Sequence, residues 1–246
     1  MRDAMKAPEQ NVPLPPRILM VMPALNEGAT IQEVIVSARA AVDTDVLVVS
    51  DASDDDTADR ARAAGALVME LPLRSGAWMA TQTGLRHALR HGYDLVFCLD
   101  ADGQHDPRHF TRMLARLHDS HADLVIGTFP ERLSPARRLA ARWFRLLTGL
   151  GIEDLTSGMR IYGSRAMVAA TATRASLLDY QDLGVLLHLQ RSGLRIREAP
   201  APMRERLRGK SHVFSSWWKV LGYMLQTTVL CLASPRPLWR RQDVAP

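Results

Sequence analysis

Five short apolar runs, separated by stretches with helical spacing, set the strongest constraint on what this chain folds into. The runs fall at residues 17–22, 45–49, 66–71, 93–99 and 122–129. After the first, which Pro23 stops, Ile31, Val34, Ile35 and Ala38 recur at helical spacing behind a Thr30/Glu33 capping box. Residues 57–64 read as a short helix with Asp54, Asp55 and Asp56 at its N-terminus, where carboxylates are favoured. Residues 76–91 form a third helix. Pro107 opens a fourth, with Phe110, Met113, Leu114 and Leu117 as its apolar stripe. Apolar strands alternating with helices predict an α/β fold with a mostly parallel sheet and right-handed crossovers.

The rhythm changes after Pro130. A helix over 134–148 sets Arg137, Arg138, Arg142 and Arg145 against Leu139, Trp143, Leu146 and Leu147. A strand at 159–162, a helix around 182–190 and a strand at 194–199 follow. This half extends the sheet and supplies the second wall of a cleft. With 246 residues, 47% of them hydrophobic and 23% charged, one large domain, or one domain with an appendage, and a sizeable core are expected. Residues 1–16 hold four prolines and no apolar segment, and read as a loose leader. The two cysteines, Cys98 and Cys231, are too few for a disulfide framework and point to a reducing compartment.

The fourth run leads directly into Asp100-Ala101-Asp102-Gly103-Gln104-His105-Asp106-Pro107. Open α/β sheets bind ligands at the C-terminal ends of their strands. Two carboxylates one residue apart repel each other there unless a cation or a set of donors lies between them. An oxygen-only set suits Mg²⁺ or Mn²⁺ rather than zinc, with Asp100, Asp102 and Gln104 as candidate ligands and a nucleotide diphosphate as the partner of the metal. The competing reading, helix capping, falls more naturally to Asp106. Two other strand ends carry polar loops: Pro23-Ala24-Leu25-Asn26-Glu27-Gly28 after the first, and Ser50-Asp51-Ala52-Ser53 after the second. Neither G-x-G-x-x-G after the first strand nor a P-loop occurs, which argues against a dinucleotide oxidoreductase and a P-loop NTPase.

Taken together, these stretches resemble the family 2 glycosyltransferases of GT-A (Rossmann-like) fold, and within them the subgroup similar to dolichyl- and polyprenyl-phosphate sugar transferases. Pro23 to Glu27 looks like the opening P-A-x-N-E, and Ser50 to Ser53 stands in the place of D-D-G-S. Gly76-Ala77-Trp78-Met79-Ala80-Thr81-Gln82-Thr83-Gly84 resembles the glycine-led helix start, and Asp100 to Pro107 matches D-A-D-G-Q-H-D-P at every position. Asp154-Leu155-Thr156-Ser157-Gly158-Met159-Arg160 resembles D-x-x-S-G-F-R, and Arg206-Leu207-Arg208-Gly209-Lys210-Ser211 resembles R-x-x-G-x-S. The likeness runs over residues 17–211, the expected transferase domain. Departures are Ser50 for an aspartate, Ala52 for the glycine, Arg74 for a common asparagine, and Trp78 and Met79 where small residues are usual. These changes are expected to alter the base and ribose contacts, and either to narrow the donor pocket or to reduce activity.

The resemblance implies an inverting transfer of a sugar from a nucleotide-diphosphate sugar. Donor-binding positions are then Pro23, Ala24, Asn26, Glu27, Asp51, Ser53, Gly76 and Asp100. Asp100, Asp102 and Gln104 carry the metal, and Asp102 is catalytic through it. A hydroxyl acceptor requires a general base, for which Asp182 is the candidate; an N-terminal helix carboxylate is its plainer reading. A lipid-phosphate acceptor requires none, and Arg160, Arg206, Arg208 and Lys210 would hold its phosphate. A non-catalytic nucleotide-sugar binding protein and a nucleotidyltransferase remain the rival classes.

The C-terminal end is basic, with nine Lys or Arg against two Glu between Arg197 and Arg241. Such an end suits a phosphate-bearing ligand, an anionic membrane surface or nucleic acid, or simply forms a solvated face. Most aromatics of this end cluster in an apolar stretch rather than alternating with the basic residues, which counts against nucleic acid. Residues 213–233 carry one charge, Lys219, with Phe214, Trp217, Trp218 and Tyr223. A spanning helix needs roughly 20 apolar residues. Fourteen residues, 220–233, lie between Lys219 and Ser234. Residues 212–246 thus read as an amphipathic or interfacial helix with a basic tail, against a span, a re-entrant hairpin or a soluble core helix. The expected location is the cytoplasmic face of the plasma membrane.

Overall fold

A computed structural model describes residues 15–129, 142–143, 149, 151–155, 157–176 and 183–203. The readings placed on residues 1–14, on most of 134–148, on Asp182, on Arg206, Arg208 and Lys210, and on 213–233 lie outside the described residues.

The described chain forms a seven-stranded sheet in the order β3-β2-β1-β4-β6-β5-β7. Its strands are β1 Ile18–Ala24, β2 Asp45–Ser50, β3 Leu67–Glu70, β4 Leu95–Cys98, β5 Leu124–Thr128, β6 Arg160–Gly163 and β7 Ile196–Pro200. The helices are α1 Ile31–Ala41, α2 Thr57–Ala63, α3 Ala77–Arg90, α4 Phe110–Asp119, α5 Ser164–Ala170, α6 Thr173–Ser176 and α7 Leu183–Arg191. The mostly parallel α/β sheet read from the sequence is present. One strand departs from it: β6 runs antiparallel and inserts between β4 and β5, so these two strands are not neighbours. Direction is not written in a four-residue apolar run, because the side-chain period is the same either way.

Alternate residues of each strand feed two cores. Leu19, Val21, Leu47, Val49, Val96 and Leu124 pack on the face covered by α3, α5 and α7. Met20, Met22, Val46, Val48, Phe97 and Val125 pack on the face covered by α1, α2 and α4. Burying each such aliphatic side chain contributes about 1.5–3 kcal/mol, and a one-residue slip would exchange the two sets, so register is strongly fixed. Gly84 lets α3 approach β1 closely, since a Cβ there would overlap the side chain of Val21.

Pro23 does not stop β1; it pairs in register with Val49. The Val21 carbonyl accepts from the Leu99 N–H and the Ala24 carbonyl from the Asp51 N–H, so Pro23 faces the β4 side. There the ladder to β4 has already ended at Val21, and no bond is lost by the missing N–H. The capping box at Thr30 also fails to form. The Thr30 hydroxyl donates instead to the carbonyls of Glu27 (3.2 Å) and Ala101 (2.9 Å), tying the start of α1 to the loop beyond β4.

Candidate functional site

Five loops converge at the C-terminal edge of the parallel strands. Asn26, two residues past the end of β1, adopts a left-handed conformation (φ 57°). Its N–H donates to Ser53 Oγ (3.1 Å), and its side-chain carbonyl accepts from the Asp54 N–H (2.8 Å). Glu27 donates its N–H to Thr57 Oγ1 at 2.8 Å. Asp55 completes this clasp. One oxygen accepts from the Gly28 N–H (3.0 Å), the other from the Thr57 N–H (3.0 Å) and from its hydroxyl. Burial raises the pKa of the Asp55 carboxyl, but the Thr57 hydroxyl and the Gly28 and Thr57 N–H groups outweigh it and hold it below the ordinary range. Of the three acidic residues, only Asp55 caps α2. Asp54 pairs with Arg74 and Asp56 with Arg60.

Asp51 is buried at the tip of β2. Its two oxygens accept from the backbone N–H groups of Ser75 (2.6 Å) and Gly76 (2.8 Å), so it fixes the entry to α3. Ser50, in the place of an aspartate, donates its hydroxyl to Ser53 at 2.9 Å. Pro23, Ala24, Asn26, Glu27, Asp51, Ser53 and Gly76 therefore share one stretch of the sheet edge. Trp78 does not narrow that pocket. Its ring is buried in the core on the α3 face, and its indole N–H donates to the Ala175 carbonyl (2.9 Å).

Beyond β4 the chain folds into a tight loop. Asp102 accepts from the Gln104 N–H at 3.0 Å, and both residues are buried. The Asp100 side chain stands more open, 43% exposed. Its N–H donates to His105 Nδ1 at 2.9 Å, which leaves the ring proton on Nε2, 3.8 Å from an Asp100 carboxylate oxygen. Nε2 is buried with no hydrogen-bond partner among the described residues. Asp106 caps the following turn through the Arg108 N–H (3.1 Å), as expected, and pairs with the Arg108 guanidinium (2.6 Å). Capping of the turn at Pro107 thus falls to Asp106.

Arg160 is fully buried below this loop. It donates to the carbonyls of Ser157 (2.9 Å) and Leu155 (3.1 Å), with Nη1 unpartnered among the described residues. It shapes the 155–158 loop whatever else it contacts. Cys98 pairs with it across the ladder, and burial pushes the thiol far up, which rules it out as a nucleophile.

No group of three or more His, Cys, Asp or Glu side chains among the described residues is arranged to hold a metal by itself. The donor set nevertheless fits a hard divalent cation. Asp100, Asp102 and Gln104 offer oxygens only, and Mg²⁺ or Mn²⁺ commonly completes its shell with substrate phosphates and water. The sequence marks Thr30 as a cap and Asp55 as a helix-start carboxylate, but not their contacts to the neighbouring loops, and it assigns no role to Gly158. The helix-start pattern at Asp55 was visible; the cross-strand contact of Gly158 needs the direction of β6.

The fold is that of an α/β protein whose polar loops gather at the C-terminal ends of its parallel strands. The chain belongs to glycosyl transferase family 2, whose family model matches residues 20–167. It is 33% identical over 214 residues to an undecaprenyl-phosphate mannosyltransferase of Micrococcus luteus, covering 79% of this chain and 86% of that protein. It is 28% identical over 225 residues to a polyprenol monophosphomannose synthase of Mycolicibacterium smegmatis, covering 81% and 82%. Among solved structures it is similar to glucosyl-3-phosphoglycerate synthase from Mycobacterium tuberculosis in complex with Mn²⁺ and UDP-glucose. That likeness has a TM-score of 0.64 at 25% identity and covers 89% of this chain and 80% of the other. No helix among the described residues is long and apolar enough to cross a membrane.

Proposed function

We propose that this glycosyltransferase moves a sugar from a nucleotide-diphosphate donor to a polyprenyl phosphate-like lipid, with inversion and with Mg²⁺ or Mn²⁺. The observation that carries the reading is the Asp100–Asp102 loop at the sheet edge, with Asp51 and Asn26 organising the adjoining donor loops. The named activities of the two bacterial relatives support the lipid-phosphate acceptor, and the Mn²⁺ and UDP-glucose of the structural neighbour support the metal and the donor class.

In this reading Asp100, Asp102 and Gln104 hold the cation, which supplies Lewis-acid neutralisation of the departing diphosphate. Pro23, Ala24, Asn26, Glu27, Asp51, Ser53 and Gly76 line the nucleoside side. The acceptor oxygen forms a bond to the anomeric carbon as the bond to the β-phosphate breaks, and the electron pair leaves with the nucleoside diphosphate. A lipid phosphate is largely dianionic near neutral pH, so it attacks without a base. Arg160 backs the 155–158 loop while Arg206, Arg208 and Lys210 neutralise the incoming phosphate. Residues 17–211 make up the catalytic unit, and 212–246 lie on the anionic cytoplasmic membrane surface. A second reading takes a hydroxyl acceptor with Asp182 as base. Another structure of the same neighbour, bound to phosphoglyceric acid, favours it.

The test is a thermal-shift panel of UDP, GDP, UDP-glucose and GDP-mannose, each with and without Mn²⁺. Binding to the native state stabilises by RT ln(1 + [L]/Kd), so a donor at a hundred times its Kd adds about 2.7 kcal/mol. One base is expected to dominate, and only with Mn²⁺. Equal shifts without metal would count against the reading.

A further inference from the structure

His105 is buried in the loop that follows β4, with its side chain only 1% exposed. Local contacts set that loop before the histidine is reached. The Ala101 carbonyl accepts from the Thr30 hydroxyl (2.9 Å), Asp102 accepts from the Gln104 N–H (3.0 Å), and Gly103 turns the chain in a left-handed conformation (φ 76°). The chain thereby returns the His105 ring to the residue that opens the loop. Nδ1 accepts the Asp100 N–H at 2.9 Å, and Nε2 lies 3.8 Å from the carboxylate of the same residue. One buried ring meets both the main chain and the side chain of Asp100.

Only one of the two ring nitrogens is used. Because Nδ1 accepts, the ring proton sits on Nε2, which is buried with no hydrogen-bond partner among the described residues. A separation of 3.8 Å is too long for a hydrogen bond. Buried donors without an acceptor are costly, and folded proteins hold few of them. Holding the Asp100 N–H would need an acceptor alone, so for that task the second nitrogen only destabilises. The nearby carboxylate gives it another. The Asp100 side chain is 43% exposed, so it stands between this buried donor and the open edge of the sheet.

We propose that His105 is a positioning residue that acts on the divalent cation through Asp100. Nδ1 fixes the Asp100 main chain, and the Nε2–H is the donor for the carboxylate oxygen that the cation does not take. A ligand carboxylate backed by such a donor is held in orientation, and loss of the donor weakens the metal site. The inference rests on the reading of Asp100, Asp102 and Gln104 as the cation's ligands. It assigns the one buried ring beside them a task in that site.

The test measures the Mn²⁺ affinity of the full chain with UDP and, separately, with GDP, by the electron spin resonance of free Mn²⁺. His105→Asn keeps an oxygen near the place of Nδ1 and removes the donor at Nε2. Affinity falls about tenfold or more, the size expected when the outer partner of a metal ligand is lost. In an Asp100→Ala background the same substitution changes it by less than about twofold, because the group it acts through is gone. Unchanged affinity in His105→Asn overturns the proposal and leaves the metal reading standing. An equal loss in both backgrounds shows a purely structural role for the ring and also overturns it. A wild type that binds Mn²⁺ with neither nucleotide overturns the metal reading and the proposal together. The wild type also supplies a readout that needs no variant to fold. In long-range ¹H–¹⁵N spectra, Mg²⁺ with the nucleotide that supports Mn²⁺ binding moves the His105 Nε2–H resonance downfield and slows its exchange with water. An unmoved resonance overturns the proposal.

Discussion

Gly158 lies against the carboxylate of Asp100. The antiparallel ladder of β4 and β6 pairs Cys98 with Arg160, and the same register, continued two residues past the end of β4 and two before the start of β6, sets Asp100 opposite Gly158. A Cβ on Gly158 would overlap Asp100 Oδ1 and lie 2.6 Å from Oδ2. A larger residue at 158 would therefore displace the Asp100 carboxylate from its place.

Gly158→Ala is therefore expected to push the Asp100 side chain out of its place while leaving the two cores intact. Mn²⁺ affinity in the presence of nucleotide falls about tenfold or more, since displacing one of a few ligand oxygens costs at least one charge-assisted contact. Titration followed by the electron spin resonance of Mn²⁺ reads this directly. Unchanged affinity would mean that Asp100 does not approach the metal.

Ala52 occupies a left-handed conformation with φ 53° at the position where the family pattern has glycine. That conformation costs an L-residue about 1–2 kcal/mol, part of which the extra unfolded-state freedom of glycine takes back. Ala52→Gly should stabilise the protein by about 0.5–1 kcal/mol, read as a higher urea midpoint at unchanged slope. A lower midpoint would show that the alanine methyl makes a contact worth more than the strain.

Burial pushes the Glu198 carboxyl above its ordinary range, although it accepts the N–H groups of Glu153 (2.8 Å) and Asp154 (3.1 Å). A carboxyl with a raised folded pKa favours folding while protonated, and that contribution is lost as pH rises through the folded value. Glu198→Gln keeps the acceptor and stays neutral. Its stability relative to wild type should rise between about pH 4 and pH 7.5. Urea midpoints at both pH values check this; a gap that stays constant or narrows contradicts it.

Much of the fold follows from patterns visible along the chain. The apolar runs at β1 to β5 and the stripe of α4 each obey a simple period, and burial makes that period binding. The direction of β6 and its place between β4 and β5 do not follow from any local pattern, because a non-local pairing decides them. The same holds for the site. Asp100, Asp102 and Asp51 were legible as strand-end carboxylates. That Asp51 spends both oxygens on the start of α3, and that Trp78 turns to Ala175 rather than the donor pocket, depends on contacts between residues far apart in sequence.

The central claim is that the Asp100–Asp102 loop holds a divalent cation against the donor diphosphate. Asp102→Asn tests it most directly, because an amide oxygen can still accept the Gln104 N–H and preserve the turn while the charge is removed. The account predicts an unfolding temperature within a few degrees of wild type and loss of the Mn²⁺-dependent shift with nucleotide. It also predicts a fall of about a hundredfold to a thousandfold in Mn²⁺-dependent sugar transfer to undecaprenyl phosphate. Transfer at the wild-type rate, with the same Mn²⁺ dependence, would contradict it.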